Sequence, residues 1–490
     1  MKLNSKKKLL LSLFFLFILS FLLRIHRIGD YFFFGFEQGR DALVAENIIK
    51  KKDFVLVGPK TDIGGIFHGA WYYYILASFY FFSSGNPLLV NIFFIFINSF
   101  VPFFFFLLLK DILKSDNWAF LGGILCAISF ELISYSRWLS NVNLAVICIV
   151  FAFWFLWKFQ QNKNKEKYFI ISIFCASLAS QFQILLTLWF FFVYLMCFLF
   201  RFITIPSLKT LIKGFFLCFI LFLPLLVFNF RNDFITLKSI YGANNKENLI
   251  SLSGSFKEYF ISLDRLLNNS LVGFDFLGKL FFFVICFFSF WQIIITRKQH
   301  DKSILLFFSL WFLMTLPVVF FRQGVNLIQI YIGTTLGLIG LTIFLLMVAW
   351  RKFVGKFFVV VFLFIIVSNL FKTIGYIDHN QKFFFITIQD DLNYHDQRDL
   401  INYIHQNSQN NDYQLKAFTI PYYQSEGWDY LHRYLYPLSK ISDSASLIYI
   451  IIEEKVDPYW QKKWIQDIGQ TKLLEEKFFG KIKLEKRQIL

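Results

Sequence analysis

Phe67-His68-Gly69-Ala70-Trp71-Tyr72-Tyr73-Tyr74-Ile75-Leu76-Ala77-Ser78-Phe79-Tyr80-Phe81-Phe82 is the run on which the architecture turns. The chain around it is apolar: 490 residues, 57% hydrophobic, with 71 phenylalanines. Apolar runs near the length of about twenty residues that a helix needs to cross a bilayer recur along it. The alternation of a membrane β-barrel, in segments of about ten residues, is absent. The runs are 9–23, 88–109, 117–135, 142–157, 168–182, 184–200, 214–229, 280–296, 303–321, 327–349 and 354–371, eleven in all. If 67–82 also crossed, the sidedness of everything after it would invert.

Charge decides between the two parities. With 67–82 lying along the membrane or re-entering it, the N-terminus and the loops 110–116, 158–167, 201–213, 297–302 and 351–356 share one side. Together they hold 19 Lys+Arg against 4 Asp+Glu. The segment 372–490, with 15 Lys+Arg and 16 Asp+Glu, then lies on the other side. Basic loops stay in the cytoplasm, so this parity is the expected one. The total charge of +17 is therefore an orientation signal, and its scatter over short loops argues against nucleic-acid binding. Lys2, Lys6, Lys7 and Lys8 precede the first apolar run, and Arg24-Ile25-His26-Arg27 follows it in place of a small-residue cleavage site. That pattern predicts a retained anchor with a cytoplasmic N-terminus.

The fold class expected is thus an all-α polytopic membrane protein of about eleven spans plus juxtamembrane helices, followed by a small extracytoplasmic α/β domain. Residues 1–371 form the membrane part and 372–490 the C-terminal domain. Within the latter, helix-like 396–408, strand-like 415–420, helix-like 425–436, strand-like 447–452 and helix-like 459–468 alternate as in a compact mixed sheet. The six cysteines, Cys126, Cys148, Cys175, Cys197, Cys218 and Cys286, all sit in apolar runs without metal or redox spacing and read as fillers.

The same parity brings the polar clusters to one face. In the outer loop 24–87, Phe36-Glu37-Gln38-Gly39-Arg40-Asp41-Ala42 opens a helical pattern running to about Lys51. A polar cluster at a membrane exit is costly to keep dry and marks a site, although Glu37 or Asp41 alone is equally well a helix cap. Downstream, Gly58-Pro59-Lys60-Thr61-Asp62-Ile63-Gly64-Gly65 supplies glycines that allow close backbone approach to a ligand, and His68 follows. The second outer loop reads Ser136-Arg137-Trp138-Leu139-Ser140-Asn141-Val142-Asn143. Arg137 there is suited to gripping a phosphate through two parallel hydrogen bonds, or to reaching lipid headgroups. Gln181-Phe182-Gln183 sits at a third outer turn, where it could bond sugar hydroxyls or simply close the turn. Arg322-Gln323 ends the run 303–321 on the same face. Glu131, inside a span, lies apart from these. No P-loop, GxGxxG, HExxH or CxxC pattern occurs.

This arrangement resembles the GT-C superfamily of integral-membrane glycosyltransferases, nearest the protein O-mannosyltransferase and lipid A aminoarabinose transferase branch. In that branch the first transmembrane helix is followed by an outer loop with an acidic pair, a residue, then arginine, tyrosine and alanine. Here the matching stretch is Glu37-Gln38-Gly39-Arg40-Asp41-Ala42, and the Gly/Pro segment and aromatic helix of the branch match 58–82. Two positions depart from the pattern. The catalytic Asp matches Glu37, whose longer side chain displaces the carboxylate, and the second acid matches Gln38. The resemblance implies an inverting transfer of sugar from a polyprenyl-phosphate donor to an acceptor hydroxyl of a glycan, lipid or protein, among membrane lipids. Glu37 is the implied general base, with Asp41 as neighbour or backup. Arg40, Lys60, Arg137 and Arg322 would surround the donor phosphate, and His68, Asn141 and Gln183 would complete the substrate site. No metal site is assigned; Asn141 and Asn143 stand where an Asp is often found, so a divalent ion is compatible but not required. The alternative is a transporter or flippase of lipid-linked sugars, which would place polar residues at the membrane midplane in two similar halves.

Overall fold

The computed structural model describes residues 5–61, 63–162, 165–244, 252–271, 278–295, 298–320, 328–351, 353–378, 389, 392–409, 411–438, 441–453 and 457–490. Where water is absent every backbone group must bond within the segment, so the apolar runs fold as helices. Seven of the described helices are long and apolar enough to cross a membrane: Lys6–Ile25, Pro87–Leu113, Asn141–Gln161, Leu208–Arg231, Gln299–Val318, Tyr331–Trp350 and Gly355–Asp378. An eighth candidate is the pair Asp116–Ile128 and Phe130–Arg137, bent by 50°. The bend falls at Ser129, whose extended backbone ends the first helix while its side chain accepts from the Leu132 N–H and caps the second. Lys167–Phe182, Leu186–Leu199 and Phe283–Gln292 are apolar but shorter. Almost all described residues of the eleven runs lie on helices, several runs being split over two, while length and composition support seven or eight crossings among the described residues. Helix Trp71–Phe82 has 12 residues, or about 18 Å at 1.5 Å per residue, against a hydrocarbon core of about 30 Å.

The loop after the first span carries helix Phe36–Lys51 and a small antiparallel ladder, Val57–Lys60 with Phe67–Gly69, before helix Trp71–Phe82. The glycines here serve protein packing: a Cβ on Gly58 would run into the Gly69 carbonyl oxygen, and one on Gly69 into the Gln181 side chain.

The C-terminal sheet has four strands. Gln414–Phe418 pairs parallel with Leu447–Ile452, which pairs antiparallel with Ile482–Ile489, and Thr471–Phe479 closes the far edge as a hairpin with Ile482–Ile489. Helices Tyr394–Ser408, Glu426–Leu435 and Pro458–Asp467 accompany it. The expected helices and strands appear with ends moved by a residue or two. The hairpin 471–489 is additional. Its edge strand is largely exposed and carries Lys472, Glu475, Glu476 and Lys477, charges that blunt an open sheet edge and hide its apolar alternation.

This domain docks on helix Phe36–Lys51. Gly39 faces Gly427 on helix Glu426–Leu435 so closely that a Cβ on Gly39 would collide with the Gly427 backbone. Around the contact, the Gln397 side chain donates to the Phe34 carbonyl at 3.0 Å and the Tyr394 N–H to the Phe32 carbonyl at 2.9 Å. Gln389 bridges the two parts. Its Oε1 accepts from the Phe36 N–H at 2.9 Å, and its Nε2 donates to both oxygens of Glu453 at 2.8 Å. Glu453 also accepts from Trp428 Nε1 and the Ile420 N–H, each at 3.0 Å. Burial pushes its carboxyl pKa up against these donors.

The glycine contact predicts the effect of one methyl group. Gly39→Ala forces the two helices apart, a cost of about 1–3 kcal/mol by overpacking. It is expected to lower the melting temperature and to expose the C-terminal domain to protease. Gly29→Ala, where a Cβ meets nothing within 4 Å, is expected to melt as the unmodified protein does.

Candidate active site

The N-terminal turns of helix Phe36–Lys51 form one wall of a cleft of about 600 Å³, open to solvent. Residues 37, 40 and 41 are three and four apart, so Glu37, Arg40 and Asp41 share a helix face. Glu37 lies in the first turn, where free N–H groups and the helix dipole favour a carboxylate. Gln38 anchors the turn: its Oε1 accepts from the Gly35 N–H at 3.1 Å and its Nε2 donates to the Leu139 carbonyl at 3.1 Å. This ties the helix start to the second outer loop.

Asp41 is buried, and one of its oxygens takes two donors. Tyr73 Oη donates at 2.9 Å and Arg40 Nε at 3.0 Å, and Arg40 Nη2 completes the ion pair at 2.9 Å. Burial pushes the Asp41 pKa above the usual carboxylate range, opposed by the Arg40 charge and the Tyr73 hydrogen bond. Burial acts against the Arg40 charge as well, but Asp41, Tyr73 and Glu37 outweigh it and hold the guanidinium pKa above its ordinary value.

Three further segments close the cleft. Strand Val57–Lys60 ends at the exposed Lys60, and strand Phe67–Gly69 carries the buried His68. His68 Nδ1 accepts from the Ile184 N–H at 3.2 Å, so the neutral ring carries its proton on Nε2. Burial, aided by the nearby Arg40 charge, pushes the His68 pKa down to about 3. The loop after helix Phe130–Arg137 supplies Trp138, Leu139, Ser140 and Asn141, and the turn after helix Lys167–Phe182 supplies Gln183. Asn141 donates to the Phe182 carbonyl, joining those two loops.

The sequence-predicted residues Glu37, Arg40, Asp41, Lys60, His68, Asn141 and Gln183 thus line one cleft. Arg137 does not line it. Its guanidinium is buried and donates to the carbonyls of Arg24 at 3.2 Å and His26 at 2.7 Å, closing the C-terminal end of the first span. Arg322 lies outside the described residues. Glu131 is buried elsewhere, accepting from Asn269 Nδ2 at 3.1 Å with Arg265 at 3.6 Å. Tyr73 is the functional neighbour that sequence reasoning missed. It sits in an aromatic run read as an interfacial anchor, and nothing in that run marks a hydroxyl that reaches Asp41. Among the described residues no three His, Cys, Asp or Glu side chains are grouped to hold a metal ion.

No family profile matches the chain, and no curated protein matches it by sequence. Among solved structures, ArnT from Cupriavidus metallidurans in the apo state superposes with a TM-score of 0.60 at 10% identity, over 98% of each chain. The same protein bound to undecaprenyl phosphate gives 0.56 at 8% identity, over 99% of this chain and 98% of that one. The chain shares the fold of ArnT. The likeness runs through both the helical part and the C-terminal sheet, since it covers nearly all of each chain.

The buried imidazole makes the site acid-sensitive. The folded state holds His68 neutral down to about pH 3, whereas the unfolded chain protonates it near 6.5. The stability this contributes is whole above about 6.5 and is lost as pH falls below it, by about 1.4 kcal/mol per unit. Thermal unfolding between pH 6.5 and 4 is expected to fall less steeply in His68→Gln than in the unmodified protein. Parallel curves would show that His68 is not the group responsible.

Proposed function

We propose that this protein transfers a sugar from a polyprenyl-phosphate donor to an acceptor hydroxyl at the outer face of the membrane, with inversion at the anomeric carbon. The observation that carries the reading is the convergence of Glu37, Arg40, Asp41, Lys60, His68, Asn141 and Gln183, from four separate stretches, on one solvent-open cleft at the end of a membrane helix bundle. The neighbouring ArnT structure with undecaprenyl phosphate supports the donor class.

In this reading the donor's lipid lies among the helices and its phosphate at the cleft. Glu37 accepts the proton of the acceptor hydroxyl as that oxygen bonds to the anomeric carbon, while the bond from that carbon to the phosphate oxygen breaks on the opposite side. Polyprenyl phosphate leaves as an anion, stabilised by Arg40 and Lys60. The Nε2 proton of His68 and the side-chain amides of Asn141 and Gln183 are donors for sugar hydroxyls. Asp41, engaged by Arg40 and Tyr73, positions Arg40 and is not itself the base. Arg137, occupied by two carbonyls, holds the helix ends in place of gripping phosphate. All eleven apolar helices cross the membrane in this arrangement, helix Trp71–Phe82 lies at its surface, and the C-terminal domain is extracytoplasmic.

Transfer of radiolabelled sugar from a polyprenyl-phosphate donor pool in membranes tests the chemistry. Glu37→Gln is expected to fold normally and to lose about a hundredfold to ten-thousandfold in rate. Equal transfer by both would reduce Glu37 to a helix cap, and no transfer by either across a range of donors would favour a transporter. The orientation has its own test. In a cysteine-free background, a cysteine at the exposed Tyr423 is expected to react with a membrane-impermeant maleimide added outside intact cells. One at the exposed Asn162 is expected to react only after lysis.

A further inference from the structure

A second cleft, of about 870 Å³, opens where the C-terminal end of helix Phe36–Lys51, the end of helix Trp71–Phe82 and helix Glu426–Leu435 meet. It lies further along helix Phe36–Lys51 and on the opposite face from the first. Tyr80 lies seven residues, two helical turns, beyond Tyr73 and so on the same stripe. Glu46 lies nine residues beyond Glu37, about 14 Å further along the axis and about half a turn around it.

Part of its lining is structural. Tyr430 Oη donates to the Gly85 carbonyl at 2.7 Å, and the Tyr80 ring meets the Tyr430 ring edge-on at 5.6 Å. Gly85 takes the left-handed φ of +86°, and a Cβ there would press on Tyr434 Cδ2 at 3.1 Å. Tyr434 shares in that packing while part of its ring stays exposed. Phe81 is 66% exposed. Tyr434 is half-buried, its ring parallel to that of Tyr430 with 6.3 Å between centroids. Lys50 is paired with Glu46 at 2.5 Å, whereas the exposed Arg433 makes no ion pair among the described residues. One Glu against one Lys and one Arg leaves the lining with a net charge of +1.

Flat aromatic faces suit the C–H faces of a sugar ring, and an uncompensated guanidinium suits a carboxylate or phosphate taken by two parallel hydrogen bonds. We propose that this cleft binds an anionic saccharide, a sugar carrying a carboxylate or phosphate, with Tyr434 as its platform and Arg433 as its anion partner. The proposal stands apart from the glycosyltransferase reading, because the saccharide lies on the face of helix Phe36–Lys51 opposite Glu37.

The test is direct binding to the full chain in phosphatidylcholine nanodiscs, which needs no turnover. The probes are trigalacturonate and glucose 6-phosphate, with maltotriose as the neutral control. At least one anionic probe is expected to bind, and maltotriose to bind at least about tenfold more weakly. Arg433→Gln and Tyr434→Ala are each expected to weaken the anionic probe about tenfold. Arg433→Lys, which keeps the charge and the fold but loses the planar fork, is expected to fall between. Glu37→Gln is expected to bind as the unmodified chain does; if it also retained transfer, the active-site reading would fail while the cleft stood. No binding of either anionic probe would overturn the proposal. So would equal binding of anionic and neutral sugars, or binding unchanged in all three cleft variants. Loss of binding in nanodiscs containing phosphatidylglycerol would overturn it in favour of a lipid headgroup site.

Discussion

A carboxylate taken out of water must be held by donors or it takes up a proton, and Asp41 is held by Arg40 on its own helix and by Tyr73 on the next. That triad couples helix Phe36–Lys51 to helix Trp71–Phe82, and the cleft is assembled around the coupling. It fixes the rotation of the first helix, which turns Glu37 and Arg40 into the cleft. It sets where the second helix runs, which places Tyr80 beneath the C-terminal domain. Because Arg40 both neutralises Asp41 and lines the cleft, the interaction that builds the site also orients its principal cation.

The membrane helices were readable because the bilayer imposes one demand, sustained apolarity, and each apolar run answers it with a helix. The C-terminal strand Leu447–Ile452 was readable for a similar reason, being buried along almost its whole length. The hairpin 471–489 was not, because an exposed edge strand is written in charges that mimic a loop. Among the site residues, Glu37, Arg40 and Asp41 declared themselves by helical spacing. Lys60, His68, Asn141 and Gln183 were suggested only by their common side of the membrane, and their convergence depends on loop geometry that spacing does not encode. Arg137 shows the limit most plainly. An arginine at a membrane exit satisfies a phosphate or a helix end equally well by composition, and here it meets the carbonyls of Arg24 and His26.

Identity of 8–10% to ArnT across nearly the full length of both chains has a physical basis in the same demand. A lipid-facing or helix-packing position asks for volume and apolarity, and many side chains supply both. In this chain rings supply much of it, with 71 phenylalanines and 21% of all residues aromatic. Phe153 lies flat against Trp311 at 3.8 Å, and Phe307 and Phe308 pack around the same indole. Rings of this size fill interhelical space with few rotamers, so the backbone course can be kept while almost every core residue is exchanged.

The bridge from Glu453 through Gln389 to the Phe36 N–H bears on how the protein comes into being. Helix Phe36–Lys51 leaves the ribosome before the membrane helices that follow it, yet the residues that steady its start and pack against Gly39 leave after them. Chains acquire structure in the order in which they are made. The early helix therefore waits at the membrane surface, with its leading amide and its glycine notch unfilled, through the insertion of every later span. The cleft reaches its final shape only when the C-terminal sheet and its helices fold back onto helix Phe36–Lys51.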